Sequence, residues 1–301
     1  MMQVFGSWTH PLGKVRPAVT AAAIAVAASA AITGQASAEP TADTHYVALG
    51  DSFAAGAGVF PQTELATCSR SAVNYPTLVA KELGVATFKD VTCGGATLDD
   101  LTSPQRGVVS GTAAPQFDAL TPDTTLVTMT MGGNDIGLAK QALLCGNILP
   151  EPYGTSCTDT FTANGVDTFA ERTSELAPVY GNAIDEIRSR APEATVVIVG
   201  YPTASRAGAC PAQQPAWPRD ADYLQDVLVN LNTLLRNVAA AHDAIFVDTA
   251  TSSIGHDMCA APEQQWINGL IPSLSTPSIV PLHPNTFGEQ NIAQQVVAAL
   301  R

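Results

Sequence analysis

A chain of 301 residues is long enough to bury a sizeable core, and 46% hydrophobic with 14% charged content marks it as globular rather than disordered. Its 14 basic side chains are outnumbered by 27 acidic ones, for a net charge of −13. That balance repels phosphate backbones and anionic membrane surfaces, which argues against nucleic-acid binding and against electrostatic membrane attachment.

Residues 1–38 read as a separate object. Lys14 and Arg16 form a short basic flank, and an alanine-rich apolar run follows from Ala18 to Ile32. Ala36-Ser37-Ala38 then supplies the small-x-small pattern of a signal-peptidase site. The run is short for a membrane anchor and ends in a cleavage signal. The expectation is a removed signal peptide at 1–38 and a single domain over 39–301, secreted and extracellular. Cleavage removes two positive charges and no negative ones. No later segment is apolar enough to span a bilayer, so no stable membrane insertion is expected.

In chain order, Tyr46–Leu49 is a short apolar run ending at Gly50, the pattern of a buried strand and turn. Tyr75–Leu83 has helical spacing. Thr87–Thr92 reads as a second strand, broken by Gly94-Gly95, and Thr124–Met131 as a third, ended by Gly132-Gly133. Val166–Arg190 predicts a long amphipathic helix disturbed at Pro178. Thr195–Val199 is β-branched throughout and closes at Gly200. Asp222–Ala241 is helical, Ala244–Val247 is a fifth strand and Thr286–Leu300 a last amphipathic helix. The Pro-rich stretches Cys210–Pro218 and Ala261–Pro284 read as surface loops. Strands alternating with helices predict an α/β domain, a parallel sheet covered on both faces.

All six cysteines, Cys68, Cys93, Cys145, Cys157, Cys210 and Cys259, follow the leader, and an even count there reads as three disulfides. Pairing in sequence order closes loops of modest length and is favoured. Zinc competes weakly, because no two cysteines have C-x-x-C spacing and only His256 lies near one.

In such a sheet the carboxyl ends of the strands line one crevice, where ligands bind. Asp51-Ser52, Gly94-Gly95 and Asn134-Asp135 are placed there. Ser52 sits at a strand-to-helix corner, where an ordinary N-cap serine is equally at home. A serine nucleophile needs a base. Of the histidines after the leader, His45 lies at the wrong end of its strand, His242 suits a helix C-terminus, and His256 lies beside Cys259. His283 stands between Pro281 and Pro284, whose restricted backbones help aim the imidazole. Gly95 offers an unhindered backbone N–H and Asn134 an amide, donors that acyl transfer requires for a developing oxyanion. Asp51 and Asp135 fit turn support better than acid–base chemistry. Trp217 and Trp266 lie in the long loops and either line a cleft or pack the loops down.

Gly50-Asp51-Ser52-Phe53, Cys93-Gly94-Gly95-Ala96-Thr97, Gly132-Gly133-Asn134-Asp135 and His283-Pro284-Asn285 occur in that order. Together they resemble the four blocks of the SGNH, or GDSL-type, hydrolases, and the spacing and cysteines most resemble the secreted actinomycete lipases and esterases of that family. The resemblance runs from about residue 43 to the C-terminus. It implies a three-layer α/β/α sandwich around a five-stranded parallel sheet, with Ser52 as nucleophile and His283 as base. The oxyanion hole would be Ser52, Gly95 and Asn134, and the disulfides Cys68–Cys93, Cys145–Cys157 and Cys210–Cys259. No cofactor or metal is implied, and the partner is an ester or lipid substrate met by a monomer.

The chain departs from the family at one place. Most members carry Asp three residues before the histidine; Val280 stands here. The favoured reading is that the Val280 backbone carbonyl orients His283; the alternative is a carboxylate from Asp248 or Asp257. The expected activity is that of a secreted serine esterase or lipase. Phospholipase A-type or carbohydrate acetyl-ester hydrolysis is the alternative, and a non-catalytic ligand-binding domain the remote one.

Overall fold

Five short strands, four of them rich in β-branched and apolar residues and the edge strand Thr87–Asp90 more polar, assemble into one sheet in the computed structural model, which describes residues 43–273 and 278–301; the leader expected at 1–38 lies outside them. The strands are β1 His45–Gly50, β2 Thr87–Asp90, β3 Leu126–Thr130, β4 Thr195–Val199 and β5 Ile245–Val247. All neighbouring pairs are parallel, in the spatial order β2-β1-β3-β4-β5. The order reverses between β1 and β3, and the crevice of a doubly wound sheet opens there at the strands' carboxyl ends.

Alternation along the strands builds two cores. Val47, Leu49, Val127, Met129, Val196 and Ile198 face α5 Thr168–Arg190 and α6 Pro218–Ala241. Tyr46, Ala48, Leu126, Val197 and Val247 face α2 Tyr75–Leu83 and α8 Thr286–Ala299. The result is the three-layer α/β/α sandwich. Two buried hydroxyl pairs, Tyr46–Thr128 at 2.7 Å and Tyr75–Thr130 at 2.9 Å, satisfy the polar residues that β3 turns toward α2 and α8.

Two helical expectations are corrected. The helix carrying Pro178 is one continuous segment, anchored by buried Leu176, Tyr180 and Ile184 on either side of the proline. Helix α6 begins at Pro218, not Asp222, because proline in a first turn loses only an N–H that has no helical partner there. Several short elements carry too little periodicity to be read from sequence: α1 Ser52–Ala55, α3 Leu138–Leu143, α4 Cys157–Phe161 and α7 Thr249–Ser252.

The cysteines pair as Cys68–Cys93, Cys145–Cys157 and Cys210–Cys259. Each bridge fastens a loop at the carboxyl end of the sheet. Among the described residues no helix is long and apolar enough to cross a membrane.

Candidate active site

Strand β1 ends at Gly50, whose φ of +148° and contact with Ala54 leave no room for a side chain. The Gln116 side chain clamps this glycine on both sides, accepting from its N–H at 2.8 Å and donating to its carbonyl at 2.9 Å. Asp51 then caps α1, and Ser52 is the first helical residue. Among the described residues the Ser52 N–H has no acceptor, as expected at a helix start.

The Ser52 Oγ lies 2.7 Å from His283 Nε2. The other ring nitrogen, Nδ1, lies 2.8 Å from the Pro281 carbonyl. A carbonyl only accepts, so Nδ1 carries the proton and Nε2 is left as an acceptor for the serine hydroxyl. Burial pushes the imidazole below its ordinary pKa, and the bond to Pro281 partly opposes that shift.

The expected orienting group, the Val280 carbonyl, is corrected by one residue. Leu282 adopts a φ of +59°, and this left-handed turn brings the Pro281 carbonyl back to the ring. The Val280 carbonyl instead accepts from the Asn268 side chain at 3.0 Å. Neither carboxylate candidate reaches the histidine. Asp248 caps α7 and pairs with Arg236 at 3.0 Å. Asp257 receives the Cys259 N–H at 2.8 Å and pairs with Arg206 at 3.0 Å.

Asn268 holds the histidine loop and was not found by sequence reasoning. Its amide donates to Ser278 and Val280, its N–H to the His283 carbonyl, and its carbonyl accepts from Leu282. A buried asparagine in an irregular loop leaves no periodic signal. Asn285 completes the support by capping α8 directly after the loop.

The residues expected as oxyanion donors, Gly95 and Asn134, follow the next two strands. Gly95 has a φ of +79°, and its N–H is without an acceptor among the described residues. The Cys68–Cys93 bridge and the bond from Gly94 N–H to the Cys68 carbonyl (2.8 Å) fix this turn. Asn134 gives one amide hydrogen to the Ala96 carbonyl at 2.9 Å, which leaves its second hydrogen available.

A buried chain ties the first block to the third. Gly133 N–H donates to the Tyr201 hydroxyl at 2.8 Å, and that hydroxyl donates to Asp51 at 2.6 Å. Asp51 also accepts from Phe53 N–H at 2.9 Å. Burial raises the Asp51 carboxyl to about 7, with the Tyr201 bond opposing the shift. Asp135 accepts the Leu98 N–H at 2.8 Å, and burial raises it too. Both acids therefore support turns. Tyr201 is a second residue that sequence reasoning missed.

Beside the serine and histidine opens a cavity of about 390 Å³. Its walls are mainly apolar, including Leu138, Ala142, Leu224, Leu228, Met258 and Ile267. Neither loop tryptophan lines it. Trp217 is buried, with its indole N–H on the Leu149 carbonyl at 2.6 Å, and Trp266 stacks on His256 at 3.6 Å. Both pack loops down.

A family model described as the GDSL-like lipase/acylhydrolase family matches residues 48–290. Lipase 2 of Streptomyces coelicolor is 38% identical over 290 residues, covering 94% of each chain. Among solved structures, phospholipase A1 from Streptomyces albidoflavus NA297 aligns with a TM-score of 0.65 at 26% identity, covering 85% of this chain and 98% of that one. The extracellular lipase of Streptomyces rimosus aligns with a TM-score of 0.66 at the same identity and coverage.

Proposed function

The chain belongs to the GDSL-like lipase/acylhydrolase family and is a carboxylic ester hydrolase, and on that premise we propose that it is a secreted lipase working through a Ser52–His283 dyad. The observation that carries the reading is the 2.7 Å contact between Ser52 Oγ and an imidazole fixed in the accepting tautomer, at the wall of an apolar cavity.

The Ser52 oxygen attacks the ester carbonyl while His283 Nε2 takes its proton. The oxyanion is stabilised by the N–H groups of Ser52 and Gly95 and by the free amide hydrogen of Asn134. His283 returns the proton to the departing alcohol, leaving an acyl-enzyme. Water then attacks and loses a proton to His283, and the imidazolium passes that proton to the Ser52 oxygen as the acyl bond breaks and the acid is released. The Pro281 carbonyl orients the ring and, being uncharged, stabilises the imidazolium less than a carboxylate does.

The cavity favours a long acyl chain over acetyl. It also disfavours a mere binding domain, which has no use for a bonded serine–histidine pair beside free donors. Phospholipid acyl esters are the second reading, on one observation. Lys140 is the one cationic side chain among the cavity's lining residues, suited to a phosphate group. The leader at 1–38, the single domain at 39–301, extracellular localisation and a monomeric state belong to the same proposal.

Initial rates on p-nitrophenyl esters from acetyl to palmitoyl, with Ser52→Ala alongside, test it. The expected result is a maximum at long chains that vanishes in the variant. Rates near wild type in Ser52→Ala would sink the nucleophile assignment. Amino-terminal sequencing of protein from the culture medium should begin at Glu39.

A further inference from the structure

We infer that the rim of the cavity is a docking surface for a zwitterionic or uncharged lipid surface, an inference that rests on the acyl-ester reading of the cavity. Three chain segments that line the cavity each carry exposed apolar side chains at their edge. Leu143 both lines the cavity and reaches solvent, and Leu144 beside it is 68% exposed. Ile271 follows lining residue Leu270, and Ile279 precedes lining residue Val280; both are exposed. Farther along the first segment stand Leu149 and Ile148, the latter 88% exposed. Single exposed aliphatics are ordinary, whereas a set bordering one opening marks an interaction site.

The backbone beneath these side chains is pinned. Asn147 N–H donates to the Pro215 carbonyl at 2.6 Å, and Trp217 Nε1 donates to Leu149 at 2.6 Å. The Gln214 side chain accepts from Ile271 N–H at 2.9 Å. Residues 214–217 thus join the first two segments, and Ala216 among them lines the cavity. The Cys145–Cys157 bridge closes the loop that presents Ile148 and Leu149. Apolar side chains held outward on a fixed backbone do not turn inward to bury themselves.

The occupant follows from position and charge. A protein partner or a second copy on this rim covers the opening by which an ester reaches Ser52, whereas a lipid surface delivers the ester through it. The net charge of −13 disfavours anionic bilayers, and the apolar side chains suit insertion below zwitterionic or uncharged headgroups.

The test is co-sedimentation with vesicles of ether-linked phosphatidylcholine, which the enzyme cannot hydrolyse. Wild type, Ser52→Ala and Leu144→Ser/Ile148→Ser are compared with identical N-termini. Wild type and Ser52→Ala should partition equally, and the double variant about tenfold less or weaker still. The double variant should keep its melting temperature and its rate on p-nitrophenyl acetate, since neither residue touches the cavity. Undiminished partitioning of the double variant overturns the inference, as does failure of wild type to partition. Self-association that the double variant abolishes, without vesicle binding, overturns it in favour of a second copy. If the double variant loses its soluble-ester rate, Ile271→Ser/Ile279→Ser decides on other segments, support being lost partitioning with the rate kept. Vesicle binding without ester hydrolysis by wild type defeats the catalytic reading alone.

Discussion

The two walls of the crevice are held by different means. The wall bearing Ser52, Gly95 and Asn134 is a mesh of polar bonds, in which Gln116, Tyr201, Asp51 and Asp135 tie three strand ends together. The wall of the cavity is apolar and is shaped by packing, with bridges Cys145–Cys157 and Cys210–Cys259 fastening its loops. Directional bonds set donor positions to within tenths of an ångström, as an oxyanion demands. Packing sets only a volume, which is all that an acyl chain demands. Damage to the first wall should therefore appear in kcat for every ester, and damage to the second in the ranking of esters.

Asn134→Ala should strike hardest, lowering kcat by roughly 10²–10³ on short and long esters alike. A loss confined to long esters would erase the distinction between the walls. Leu224→Trp fills the cavity and should slow long-chain esters by about 10–100-fold with little change on acetyl. A uniform loss would show that the cavity does not hold the acyl chain. Tyr201→Phe strands the Gly133 N–H and should cost about 1–3 kcal/mol of stability, read by chemical denaturation. Asp257→Asn and Asp248→Asn should leave kcat nearly unchanged; a collapse in either would mean that a carboxylate completes a triad.

The polar wall also has two pH signatures. If His283 is the base of the proposed dyad, activity should rise with pH through a His283 midpoint below the ordinary histidine value of about 6.5, because burial favours the neutral ring. A flat profile across that range would count against His283. Asp51 titrates near 7 when folded and near 3.8 when unfolded, so the folded protein holds the extra proton between those values. Its contribution to stability is fully present below the unfolded value and is lost as pH rises through about 7. Melting temperatures of wild type relative to Asp51→Asn should fall across that window; parallel curves would place the proton elsewhere.

The sheet was legible because β-branched runs such as Thr195–Val199 and glycine punctuation survive in any single sequence. The contact between Ser52 and His283 could be anticipated because Ser52 follows the first strand and His283 precedes the last helix, each in a short motif; Gly95 and Asn134 likewise lie in the turns that follow their strands. What escaped was long-range and aperiodic. Tyr201 meets Asp51 across 150 residues, and Gln116 meets Gly50 across 66. Asn268 acts from within an irregular loop. The misplacement at Val280 was a matter of one backbone torsion. Proline spacing restricts the loop, but the carbonyl that meets the ring goes with the positive φ of Leu282 and with the Asn268 amide that takes up the Val280 carbonyl.

That choice of carbonyl gives the proposed dyad an unusual mutational profile. An orienting aspartate is a single target: one codon change removes its acceptor. At Pro281 every amino acid supplies the same acceptor, so no exchange of side chain can delete it. The vulnerability moves to chain geometry, to Leu282, where a proline is barred from the observed φ, and to Asn268, which holds the turn from outside. Selection on the orientation of the base should accordingly fall on residues that shape the loop rather than on the one that touches the ring.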